Sequence, residues 1–125
     1  IGGYHNLSHH GKDELKLKQL EEIETVQMEL FGELLRDLQQ VEESDGSLLD
    51  NTMVLYGCHM GDANIHNNNN LPVILAGGGF KHGQHLAFNE QNNTPMCDMF
   101  VSMLQKMGIE ADRFGSSSGT LTGLT

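Results

Sequence analysis

The chain has 125 residues and a net charge of −10, from 7 Lys plus Arg against 17 Asp plus Glu. That balance excludes a general nucleic-acid or anionic-membrane binder, which needs a basic surface. No apolar run in these residues approaches the ~20 residues of a membrane span, and the first residues carry no basic, apolar or cleavable pattern, which leaves a signal ahead of Ile1 open. The length suits one small domain, or a piece of a larger one, with a core that hides roughly two thirds of the unfolded surface. Fifteen glycines and a hydrophobic fraction of 38% point to many loops. Cys58 and Cys97 are the only thiols. Two cysteines make no disulfide framework and leave the redox compartment open.

The first segment is His5-Asn6-Leu7-Ser8-His9-His10-Gly11. His5 and His9 would share a face if helical, although Gly11 argues against a continuous helix here. Asp13 to about Val41 reads as one long helix. Leu20, Ile23, Leu30, Phe31, Leu34, Leu38 and Val41 recur at spacings of three and four and form an apolar stripe. The acids between Glu21 and Glu43 are read as its solvated face. Ser44-Asp45-Gly46-Ser47 should stop it.

Met53 to Tyr56 and Val73 to Ala76 read as short strands. Both are continuously apolar, which predicts burial on both faces, as in a sheet flanked by helices. Gly77-Gly78-Gly79 reads as a turn. A hairpin is expected over Phe80 to Phe88, around His82-Gly83-Gln84. Thr94 and Pro95 look like the N-cap and first position of a helix that runs to Met107 and stops at Gly108. The methionines are expected as core filler. The glycine- and serine-rich stretch 115–125 is expected to be a flexible tail.

These few strands are too few for a self-sufficient buried parallel sheet. The expected architecture is therefore α/β: a long N-terminal helix, a few buried strands, a hairpin and a C-terminal helix. Residues 1–125 are expected to form a single domain that is the C-terminal portion of a larger α/β domain, or to assemble with other chains. An exposed sheet edge would favour a homo-oligomer.

Five of the seven histidines lie in two clusters. The second begins at the end of the first strand: Cys58-His59-Met60-Gly61-Asp62-Ala63-Asn64-Ile65-His66. A polar loop at a strand end is where α/β proteins keep their sites. His59, Asp62 and His66 each offer a ligand atom, and Cys58 offers a thiolate when deprotonated. A catalytic zinc takes three such ligands plus water. The spacing matches no closed structural zinc motif. A polar loop whose side chains satisfy local backbone groups is the plainer alternative. His9 and His10 are candidates in the first cluster. There is no G-x-S-x-G elbow, P-loop or dinucleotide fingerprint.

The order His-His-Gly, long helix, Asp-Gly-Ser-Leu-Leu-Asp-Asn-Thr-Met-Val-Leu-Tyr-Gly, His-bearing loop and Asn-Leu-Pro-Val-Ile-Leu-Ala-Gly-Gly-Gly resembles the C-terminal part of the DUF1552 family. The terminal Met-Gly-Ile, Arg-Phe-Gly and Ser-Gly-Thr-Leu stretches agree with it. More distantly, the pattern is similar to the alkaline phosphatase-like superfamily of phosphatases, sulfatases and cofactor-independent phosphoglycerate mutases.

The resemblance implies part of a three-layer sandwich and a divalent metal site, with zinc as one candidate. It implies hydrolysis of small phosphate or sulfate esters by the complete protein, and export. By position, Cys58-His59 stands where an Asp-His pair is expected, His66 where a later His is expected, and His9 or His10 near an upstream His. The implied metal contacts are His59, Asp62, His66 and His10, with His9 and Cys58 next; Asp62 alternatively orients a ligand. The departures are Cys58 in place of Asp, Met60 between His59 and Gly61, no Asp before His9 or His10, and no counterpart here of the superfamily's Ser, Thr or modified Cys nucleophile, which belongs to its N-terminal half. They leave open a non-catalytic module with a degenerate metal site. A metal carrier or sensor is a third reading.

Overall fold

A computed structural model describes residues 3–124. Its elements in chain order are α1 (Tyr4–Ser8), α2 (Glu14–Gln40), β1 (Glu42–Glu43), β2 (Gly46–Ser47), β3 (Met53–Gly57), a 3-10 turn (Ala63–Ile65), β4 (Val73–Gly77) and α3 (Met96–Lys106). The chain divides into two compact units. One takes the residues up to Leu48 together with Leu55–Leu75. The other takes Leu49–Val54 and the residues from Ala76 onward. The architecture is mixed α and β with a long N-terminal helix.

In the first unit, α1 is short and its only buried residue is Leu7. Its C-terminal carbonyls lack intrahelical partners. The Lys16 ammonium supplies one, donating to the Asn6 carbonyl at 3.3 Å and the His9 carbonyl at 3.3 Å, and to Asn6 Oδ1 at 2.9 Å. Gly11 and Lys12, both at positive φ, then reverse the chain. Asp13 caps α2: its Oδ1 accepts the Leu15 N–H at 2.9 Å and the Lys16 N–H at 3.2 Å.

The long helix lies within the predicted span, but its packed face is rotated from the predicted stripe. Leu20 is buried, and Ile23, Phe31, Leu35 and Leu38 are half-buried. Leu30, Leu34 and Val41, expected to be inward, are 59%, 47% and 48% exposed. At 3.6 residues per turn, Leu20, Phe31 and Leu38 fall within about 20° of one another, whereas Leu30 and Leu34 lie to one side. Tyr56 of β3 selects that face. Its ring sits 5.0 Å from the Phe31 ring, and its hydroxyl donates to Gln27 Oε1 at 3.3 Å. The helix also stops earlier than the predicted turn. Glu42 and Glu43 pair antiparallel with Ser47 and Gly46, so Ser44-Asp45 is a hairpin turn.

β3 and β4 form a two-stranded sheet. The Cys58 N–H donates to the Pro72 carbonyl at 3.2 Å. At the opposite end Gly77 lies against the Thr52 carbonyl. The strands therefore run antiparallel. Burial on both faces, predicted from their apolar runs, is not what the structure holds. Leu55 is 37% and Ile74 42% exposed. Two strands leave edges and faces uncovered, so continuous apolar sequence does not give burial. Gly77, at φ +71, has no room for a side chain: a Cβ would meet the Thr52 and Leu49 carbonyls.

In the second unit, Phe80, Met99, Val101 and Leu124 form the buried apolar core. The expected hairpin over Phe80 to Phe88 is absent; the segment holds no strand. Its polar groups bond elsewhere. The Lys81 N–H donates to the Leu124 carbonyl at 2.9 Å, and the Gln84 amide donates to the Lys81 and Gly123 carbonyls. With those partners supplied by residues 123–124, the segment has no need of a second strand. Helix α3 starts one residue later than predicted: Pro95, not Thr94, is its N-cap, and no side chain caps it. The Gly108 stop is as read: at φ +78 its N–H returns to the Gln105 carbonyl at 3.0 Å. Of the methionines expected as core filler, Met99 is buried, while Met107 is 63% exposed.

The buried Asp98 of α3 organises residues 117–121. Its Oδ1 accepts the Ser118 N–H at 2.7 Å and the Gly119 N–H at 3.2 Å, and its Oδ2 accepts the Ser118 hydroxyl at 2.9 Å. The Leu121 N–H donates to the Asp98 carbonyl at 3.1 Å and to Ser102 Oγ at 2.9 Å. The stretch expected to be a tail therefore carries specific hydrogen bonds at Ser118, Gly119 and Leu121. Burial alone pushes the Asp98 carboxyl up, but the bonds from Ser118 and Gly119 outweigh it and hold the carboxyl below the usual carboxylate range.

Val101→Ala should cost about 2 kcal/mol of unfolding free energy by denaturant titration, because Val101 is fully buried. Leu15→Ala, at 73% exposed, should stay within about 0.5 kcal/mol. A depressed carboxylate stabilises the fold above its unfolded pKa of about 3.9, and that stability is lost as pH falls through the lower folded value. Unfolding titrations between pH 2 and pH 7 should therefore show stability falling in acid for the parent. Asp98→Asn should be less stable at pH 7 and lack that component.

Candidate metal centre

The loop after β3 closes on itself. The Gly61 and Asp62 N–H groups donate to the Asn67 carbonyl at 2.9 and 3.2 Å, and the Asn67 N–H returns to the Asp62 carbonyl at 2.9 Å. Gly61 is required there, since a Cβ would collide with the Asn69 carbonyl. The Asp62 carboxylate accepts the Asn64 N–H at 2.9 Å and so caps the 3-10 turn. The turn ends at His66, whose left-handed backbone (φ 54) sends the chain into the Asn run. Asn64 Oδ1 accepts the Gly11 N–H at 2.7 Å, which ties this loop to the segment after α1.

This tie brings the two histidine clusters together. His66 Nε2 lies 3.3 Å from His9 Nε2 across 57 residues of sequence. Their ring centroids are 4.8 Å apart at 82°. The His5 ring also stands 4.7 Å from the His9 ring, at 74°. His9 is half-buried, and His5 and His66 are exposed. His9 thus makes edge-on ring contacts with both His5 and His66. His5 was not among the predicted contacts. The signal for it was present: His5 and His9 are four residues apart, and α1 covers Tyr4–Ser8 because Gly11 falls beyond its end.

The remaining predicted residues stand differently. His10 Nδ1 accepts the Lys12 N–H at 3.0 Å, which leaves its Nε2. Asp62 Oδ1 is engaged in capping. Cys58 is an exposed free thiol, and His59 is exposed beside it. Tyr4, next to His5, has its phenol raised by burial first and then by Glu24, Cys58 and Tyr56. In the second unit, His82 Nε2 is 2.9 Å from the Gly77 carbonyl, so that nitrogen carries hydrogen and donates. Among the described residues, no group of three or more His, Cys, Asp or Glu side chains is placed to hold a metal ion.

No family model matches the chain, and no curated protein or solved structure matches it.

Gly61→Ala should displace the 61–67 loop and cost on the order of 1–3 kcal/mol, a close-approach strain effect. The expected readout is loss of the cross-peak between His9 and His66 ring protons in a NOESY spectrum, with the Val101 methyl signals unchanged.

Proposed function

We propose that this chain is the C-terminal part of an alkaline phosphatase-like three-layer α/β sandwich, and that the complete protein is a metal-dependent hydrolase of phosphate or sulfate esters. One observation carries the reading: the 3.3 Å approach of His9 Nε2 to His66 Nε2. In a tetrahedral zinc site with Zn–N bonds of 2.0–2.1 Å, two ligand nitrogens lie about 3.3–3.4 Å apart. The more distant likeness to the alkaline phosphatase-like superfamily implies metal contacts at His66 and at His10 or His9.

A bound divalent metal would polarise the ester oxygen and lower the pKa of an attacking group. The chain's own residues divide the remaining work. His9 and His66 would hold the metal. Asp62 fixes the turn that aims His66, and Asn64 fixes the distance to α1. His59, Cys58 and His10 lie on the same two segments and would supply further contacts. The sheet edges and the exposed Leu30 and Leu34 provide surfaces for the rest of the sandwich or for a second copy. Among the described residues no helix is long and apolar enough to cross a membrane.

A non-catalytic module with a degenerate site is the second reading, favoured by Cys58, which stands where the resemblance implies an Asp. Elemental mass spectrometry of the tag-free chain, with His9→Ala/His66→Ala beside it, separates the two. Near-stoichiometric metal in the parent, lost in the variant, together with turnover of 4-nitrophenyl phosphate or sulfate by the full-length protein, supports the hydrolase. Metal without turnover in the full-length protein, or no metal after incubation with zinc, overturns it.

A further inference from the structure

The helix α2 spans 27 residues, and its only buried residue is Leu20. Helices of globular proteins draw most of their stability from a packed apolar face, so α2 carries apolar surface that calls for a cover. We propose that the row Val26, Leu30 and Leu34 receives a basic amphipathic helix from the remainder of the complete protein, lying beside α2 in the same layer. The inference rests on the reading of the chain as part of a larger sandwich. It adds which face is covered, by what kind of element, and with which charge.

Three observations carry it. First, Val26, Leu30 and Leu34 are all exposed. They stand four residues apart, which makes them one ridge of the kind that packs into the groove of a neighbouring helix. Second, at 3.6 residues per turn this ridge lies about 90° round the helix from the packed face of Leu20, Phe31 and Leu38. Phe31 meets Tyr56 of β3 on that packed face. A helix touching the ridge therefore runs alongside α2 and leaves the contact with β3 in place.

Third, the ridge has an acidic rim. Glu22, Glu29, Glu33 and Asp37 are all exposed and lie within roughly 100° of it on the solvent side. Lys18 and Arg36 fall beyond these acids, and Arg36 leans over Gly32. An occupant with Lys or Arg along its own rim would pair with the four carboxylates, whereas an acidic one would meet like charge. A second copy brings a net charge of −10 and the same acidic rim, so it is the poorer fit.

The test uses a synthetic helical peptide with a leucine stripe and lysines on both flanks, and its twin with glutamates in place of the lysines. Binding to the 125-residue chain is read by fluorescence anisotropy at pH 7.5. The lysine peptide should bind at least tenfold tighter than the glutamate peptide in 50 mM sodium chloride, and the gap should narrow in 500 mM. Leu30→Ser/Leu34→Ser should weaken the lysine peptide at least tenfold. Glu29→Lys/Glu33→Lys should reverse the preference, while Glu21→Lys, on the opposite flank, should keep it. In Leu34→Cys, maleimide should label the new thiol of the chain at least tenfold faster than that of the full-length protein, with sites assigned by peptide mass spectrometry.

Equal binding of the two peptides, or binding indifferent to Leu30→Ser/Leu34→Ser, overturns the basic occupant. A dimer in sedimentation velocity that Leu30→Ser/Leu34→Ser dissolves assigns the face to a second copy and also overturns it. Equal labelling of Leu34→Cys in chain and full-length protein overturns the source of the helix. A full-length protein that shields position 34 and turns over no ester upholds this inference and removes the hydrolase.

Discussion

The geometry of the first unit depends on the closure of the loop after β3. Its carbonyls and amides pair across Asp62 and Asn67, and that pairing is possible only because Gly61 presents no Cβ to the Asn69 carbonyl. Once closed, the loop has a single well-defined end, and His66 occupies it. The Asn64–Gly11 hydrogen bond then sets the spacing to α1. A single exposed hydrogen bond contributes only about 1 kcal/mol, so precision here comes from several small constraints acting on a short loop.

Polar side chains do much of the organising elsewhere as well. Lys16 serves the end of α1, Asp13 the start of α2, and Asp62 the 3-10 turn. Asp98 gathers two amides and a hydroxyl from residues 118–119. Each satisfies backbone groups that helices and strands leave unpaired. This pattern fits a chain rich in loops, with few fully buried apolar side chains to hold it. It also limits the site, because Asp62, while capping, has one oxygen already committed.

Elements defined by local signals were legible in the sequence. The long helix between Asp13 and Val41, the strands at Met53 and Val73 and the stop at Gly108 follow from periodicity, apolar runs and glycine. The errors share a cause. Periodicity runs the α2 stripe through Leu30 and Leu34, because hydrophobicity alone cannot tell which of two adjacent apolar faces meets Tyr56. Likewise, the expected Phe80–Phe88 hairpin depended on what lay beside it, and that proved to be residues 123–124.

What the sequence by itself determined was an acidic chain, one dominant helix, two short apolar strands, and two histidine clusters flanking that helix and following the first strand. It also held the His5–His9 spacing, since four residues along a helix return to the same face. Only the tertiary structure decided that His66 meets His9, that His10 and Asp62 are engaged by nearby backbone amides, and that the strands stay partly exposed. The physical reason is range. Helix periodicity and capping act over a few residues, whereas a 3.3 Å approach across 57 positions depends on a closed loop, a glycine without a side chain and one long-range hydrogen bond.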